Sequence, residues 1–130
     1  MKKRQSQPQP EPIEEIIPAH ILALEILNRL KNTEEWKSPK KKKYYSELTD
    51  TVRAYLENRF NIRAMEQTTR EILLHLNHAN ISDEDKKYLR KILSEADMVK
   101  FAKFTPDDID AFNYLQKSID FVNRTKRDDD

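Results

Sequence analysis

The stretch KSPKKKKYYSELTDTVRAYLENRF, Lys37 to Phe60, carries the pattern from which the fold is read. Tyr45, Leu48, Val52, Tyr55 and Leu56, with Phe60 beyond them, recur at helical spacing and form one apolar stripe. Ser38 and Pro39 make a start signal, because a serine hydroxyl caps free backbone N–H groups and proline fits a first turn. Asn61 follows as a residue that tolerates the left-handed conformation of a helix stop. The oddity is charge. Lys37, Lys40, Lys41, Lys42 and Lys43 place five cations in seven residues at the positive end of a helix, where each costs about 0.3–1 kcal/mol.

Four further amphipathic segments flank this one. The first runs from Pro18 to Trp36, and Leu22, Ala23, Leu24, Ile26, Leu27 and Leu30 cover an arc wide enough to predict a central helix. Thr68-x-x-Glu71 is a capping box, in which each side chain satisfies the other residue's backbone N–H. It leads into Ile72, Leu73 and Leu76, and the segment stops near Asn77–Asn80. Ser82 opens the fourth helix, with Asp83, Glu84 and Asp85 complementing the helix dipole. Its stripe is Tyr88, Leu89, Ile92, Leu93, Ala96 and Val99, and Phe101 and Phe104 follow. Thr105 as cap and Pro106 in the first turn open the fifth, with Ile109, Phe112, Leu115, Ile119 and Val122 facing inward.

Composition agrees with an all-α bundle of about five helices. The 130 residues include no glycine, where average usage of about 7% would give roughly nine. Hairpins lean on glycine for positive-φ turns, so a sheet-rich fold is disfavoured. Residues 1–17 read as a basic, proline-rich linker, 18–125 as one helical domain and 126–130 as a charged tail. The opening MKKRQSQPQPEP runs into Gln, Pro and Glu, unlike the apolar core of a signal peptide. The longest apolar stretch, Ile16 to Leu30, is interrupted by Pro18, His20 and Glu25 and is too short to span a bilayer.

Several chemistries lack their residues. Without cysteine there is no disulfide, thiol catalysis or thiolate metal site. Without glycine there is no phosphate-cradling loop. His75 and His78 share a helix face, but a pair with no third ligand is weak for zinc. The acids of SDED and TPDD are accounted for by capping and dipole compensation. No catalytic, cofactor or metal residues are therefore expected, and the chain reads as non-enzymatic. With 24 basic and 23 acidic residues it has no global field, so any electrostatic role is local.

Two readings of the lysine run stay open at this point. In one, the ammonium groups relax into water and Glu47 and Asp50 offset part of the cost. In the other, the run attracts an anionic membrane surface, at about 1 kcal/mol per lysine. Nucleic acid ranks behind, since one short patch in a balanced chain is a meagre footprint. Tyr45 and Tyr55 belong to the stripe, which leaves Tyr44 as the tyrosine free to act beside the lysines.

YYSELTDTVRAYLENRFNIRAMEQTTREIL (Tyr44–Leu73) and ADMVKFAKFTPDD (Ala96–Asp108) resemble the C-terminal cytoplasmic domain of bacterial Bat-type (oxygen-tolerance, BatD-like) membrane proteins. The shared pattern is Tyr-Tyr, Leu-Thr, the Arg-x-Tyr-Leu-Glu run with Arg-Phe, the Glu-x-Thr-Thr cap and the Asp-x-Val-Lys-Phe-Ala-Lys helix end. Asn61 stands where the family commonly has glycine, and the four consecutive lysines are not part of the pattern. The resemblance implies a cytosolic domain at the inner face of a membrane, the tail of a single-span protein of an envelope or stress system. It implies no catalytic activity or cofactor, and a protein partner such as a MoxR-type ATPase or a von Willebrand A-like protein. Arg53, Arg59, Glu66, Lys100 and Lys103 join Lys40–Lys43 and Tyr44 as the candidate interaction surface, because the pattern sets polar groups where a core needs none.

Overall fold

A computed structural model describes residues 17–127, as five α-helices with no strand among the described residues. They are α1 (Ala19–Asn32), α2 (Lys41–Phe60), α3 (Thr69–Leu76), α4 (Asp83–Phe101) and α5 (Asp108–Thr125), with short 3₁₀ turns at Glu35–Lys37 and Ala64–Glu66. Nearly all of the linker read at the N-terminus, and 128–130 of the tail, lie outside the described residues.

The central element is α2, not α1. It packs against α1, α4 and α5, and its stripe from Tyr45 to Leu56 is fully enclosed. In α1, Ala23, Leu27 and Leu30 face α2 and α5 while Leu22 stays exposed, so the wide apolar arc is only partly used. Aromatic rings lock the middle of the bundle. Phe121 of α5 meets Tyr55 at 5.8 Å, Tyr88 at 5.4 Å and Phe60 at 6.5 Å between centroids, distances at which rings attract beyond area burial.

Capping follows the sequence in α3 and α4. Both halves of the Thr68–Glu71 box are made, and Ser82 Oγ accepts from Asp85 N at 3.1 Å. Asn61 takes the left-handed conformation at φ 59°, as does Lys103 at φ 56°, and each turns the chain without glycine.

Elsewhere the starts shift by two residues, about half a turn. Asp107, not Thr105, caps α5, its carboxylate accepting from Asp110 N at 2.7 Å. Leu115, Ile119 and Val122 are buried as read, joined by Ala111, Ser118 and Phe121, whereas Phe112 is half-buried and Ile109, in the first turn, is 70% exposed and not inward. Ahead of α2, Ser38 Oγ accepts from Lys40 N and closes a local turn, and the helix proper begins at Lys41.

Candidate functional site

The first turn of α2 divides the lysine run. Lys41 is a structural residue, which corrects its reading as surface. Its side chain is 7% exposed, and Nζ donates to Trp36 O at 3.0 Å, Ser38 O at 2.7 Å and Asp108 Oδ1 at 2.7 Å. Three oxygen acceptors satisfy all three ammonium protons, so burial of this charge is compensated. Tyr44 is likewise enclosed, not free: its hydroxyl donates to Ala111 O at 2.7 Å. Lys37 pairs with Glu34 at 3.3 Å and lies 5.1 Å over the Trp36 ring. What is left to solvent is Lys40, Lys42 and Lys43, exposed and without an ion pair among the described residues.

The bond from Lys41 to Asp108 ties the start of α2 to the start of α5. Tyr45 of α2 donates to Glu95 Oε2 of α4 at 2.8 Å, six residues before α4 ends at Phe101. The six residues 102–107 then lead into α5. Three helix termini thus share one end of the bundle, where Lys100 and Lys103 join Lys40, Lys42 and Lys43. The same end carries four exposed apolar side chains: Phe101 is 80% exposed and Ile109 70%, with Met98 and Phe104 less so. No sequence argument placed these beside the lysines. The available signal was Phe101 lying beyond the last turn of a well-formed stripe, with no partner to face.

Beneath this surface the polar chemistry is structural. Burial raises the pKa of Glu95, partly offset by the Tyr45 hydroxyl bond. Burial likewise raises Tyr44 and Tyr45, and the nearby Glu95 carboxylate adds to the effect on Tyr45.

The remaining candidates sit apart. Arg53, about 18 Å further along α2 than Lys41 at 1.5 Å per residue, is half-buried with an enclosed Nε that has no hydrogen-bond partner. Arg59 is engaged within the fold, with Nε donating to Thr125 O at 2.6 Å and the guanidinium 4.6 Å over the Phe60 ring. Glu66 is exposed and pairs with Arg63 at 3.7 Å. His75 is in α3 and exchanges a hydrogen bond with Gln67, whereas His78 lies past the helix end. Among the described residues no group of three His, Cys, Asp or Glu is placed to hold a metal ion.

A cleft of about 740 Å³ opens between α4 and α5. Lys87, Lys91 and Lys117 line it together with Glu84 and Asp120, and Arg124 is held by Asp85 at 2.6 Å. Opposite charges alternate along its walls, so it presents no converging set of one sign. A second cleft, about 440 Å³, lies between α3 and α4 beside Leu73 and Leu74, and a third, about 520 Å³, runs along Ile26, Lys43 and Glu47.

No family model, curated protein or solved structure matches the chain. By fold it is an all-α helical bundle. The Bat-type resemblance stands on the sequence motifs alone.

Proposed function

We propose that this chain is a non-enzymatic docking domain whose contact surface is the basic, apolar end of the bundle. The observation that carries the reading is the gathering, where three helices terminate, of five lysines with no ion pair among the described residues and of Phe101 and Ile109, the most exposed large apolar side chains among them. Exposed apolar groups bordered by polar ones are the usual mark of an interaction surface. Unpaired cations give a negatively charged partner its orientation and speed of approach. The Bat-type motifs support the setting: a helical tail at the inner face of a membrane, in a system with MoxR-type ATPases and von Willebrand A-like proteins.

Photo-crosslinking tests it. A photoreactive amino acid at position 101 or, as control, at exposed position 74 is introduced into the full chain and activated in unfractionated extract with membranes retained. Adducts are expected at 101 and not at 74, competed by excess wild-type chain but not by a Lys40→Glu, Lys42→Glu, Lys43→Glu variant. Equal labelling at both positions, or competition by the charge-reversed variant, overturns the reading.

A further inference from the structure

We infer that the partner of this end is an anionic lipid leaflet, with Phe101 and Ile109 entering the interface and the lysines lying among headgroups. The inference rests on the docking reading above and names its partner.

Shape points to a fluid partner. The two protruding side chains occupy the last turn of α4 and the first turn of α5, where Phe101 is 80% and Ile109 70% exposed. A convex apolar tip offers a folded protein no groove to fill, whereas acyl chains deform around it. Lysine suits the border of such a tip, because its alkyl stem lies along apolar surface while the ammonium stays wet.

Charge points to an acidic leaflet. Three aspartates start α5, but Asp108 is neutralised by Lys41 and Asp107 is engaged with the Asp110 N–H. The carboxylates of Glu95, Asp107 and Asp110 then oppose Lys40, Lys42, Lys43, Lys100 and Lys103, so the end is net positive in a chain whose total is only +1. Juxtaposed lysines gain from a leaflet's negative surface potential within about one Debye length. Burial of Lys41 serves the arrangement, since it orders the turn that holds its three neighbours outward.

The experiment is co-sedimentation of the full chain with phosphatidylcholine vesicles, with and without phosphatidylglycerol. Binding is expected only with phosphatidylglycerol and is expected to weaken as salt rises. Lys40→Glu with Lys42→Glu and Lys43→Glu should weaken it more than about a hundred-fold, at roughly five-fold for each lysine lost and more for reversal. Phe101→Ser should weaken it about ten-fold, and Leu74→Ser should leave it unchanged. A Phe101→Trp chain should show blue-shifted emission on phosphatidylglycerol vesicles, quenched by brominated lipid. Circular dichroism confirms that each variant is folded. Equal sedimentation with neutral vesicles, or binding without the emission shift, overturns the inference. If vesicles fail but competed adducts at position 101 are protein, the lipid inference falls and the docking reading stands. If neither vesicles nor adducts appear, both fall.

Discussion

The two ends of the bundle are built from the same three helices and treat charge in opposite ways. Where α2 and α5 finish and α4 begins, polar groups close on one another. Asp85, 7% exposed, holds Arg124, and Arg59 reaches Thr125 O. The Tyr55 and Tyr88 hydroxyls meet Thr125 and Ser118. Thr125 Oγ1 and Ser118 Oγ also reach the Phe121 and Tyr114 carbonyls at 2.8 and 2.7 Å. Where α2 and α5 begin and α4 ends, Lys41 is sealed inside, but four lysines and four apolar side chains are exposed and a fifth lysine, Lys100, is half-buried. One end is finished by its own side chains. The other leaves charged and apolar side chains exposed among the described residues, and the comparison teaches where to look for contact.

The largest effect tests whether the difference is confined to the surface. Burial raises the phenol pKa of Tyr44 at the open end and Tyr88 at the packed end alike. In the unfolded chain tyrosine ionises near pH 10. The unfolded state therefore releases these protons first, and stability present below about pH 10 is lost as pH rises further. Urea midpoints against pH, read with tyrosinate absorbance, should show ionisation of these two arriving with unfolding. Ionisation of all five tyrosines in the folded chain near pH 10 would break the claim of equally tight interiors.

Substituting one phenylalanine at each end comes next. Phe121→Ala removes a fully buried ring shared by Tyr55, Phe60 and Tyr88, and should cost about 3–5 kcal/mol in chemical denaturation. Phe101→Ala should change stability by less than about 0.5 kcal/mol, as for other exposed sites. Comparable losses would show that Phe101 is core after all.

Adjacent lysines give a smaller contrast within the open end. Lys41→Ala strands the Trp36 and Ser38 carbonyls and frees Asp108, which should cost about 1–3 kcal/mol. Lys42→Ala should stay within about 0.5 kcal/mol. Thermal or urea unfolding of the pair decides it, and equal values would return Lys41 to the surface. Smallest is the cap of α3. Thr68→Ala should cost about 1 kcal/mol at most, because it removes one half of the box while Glu71 still accepts from residue 68 N–H.

Lys41 shows why legibility was uneven. It lies four residues before Tyr45 and seven before Leu48, on the extension of the very stripe that defines α2. Helical spacing therefore contained the signal that it faces inward, but a lysine can be enclosed only if acceptors await it. Those acceptors come from the preceding turn and from residue 108. Tyr44 is parallel, its acceptor being a carbonyl 67 residues away. The α4 stripe needed no distant partner to be recognised: Tyr88, Leu89, Ile92, Leu93, Ala96 and Val99 are all buried as read. In α5 Leu115, Ile119 and Val122 are buried as read, but the helix is enclosed on a wider face that takes in Phe121, while Ile109 in the first turn stays outside the core.

From the sequence alone came the all-α class, the five helices, the Thr68 and Ser82 caps and the Asn61 stop. These rest on spacing and on bonds that close within four residues. Tertiary structure alone decided that α2 is central, that Lys41 and Tyr44 are inside, and that Lys40, Lys42, Lys43, Lys100 and Lys103 share an end with Phe101 and Ile109. Each of those depends on which distant backbone or side chain arrives opposite, and a one-dimensional pattern holds no record of that.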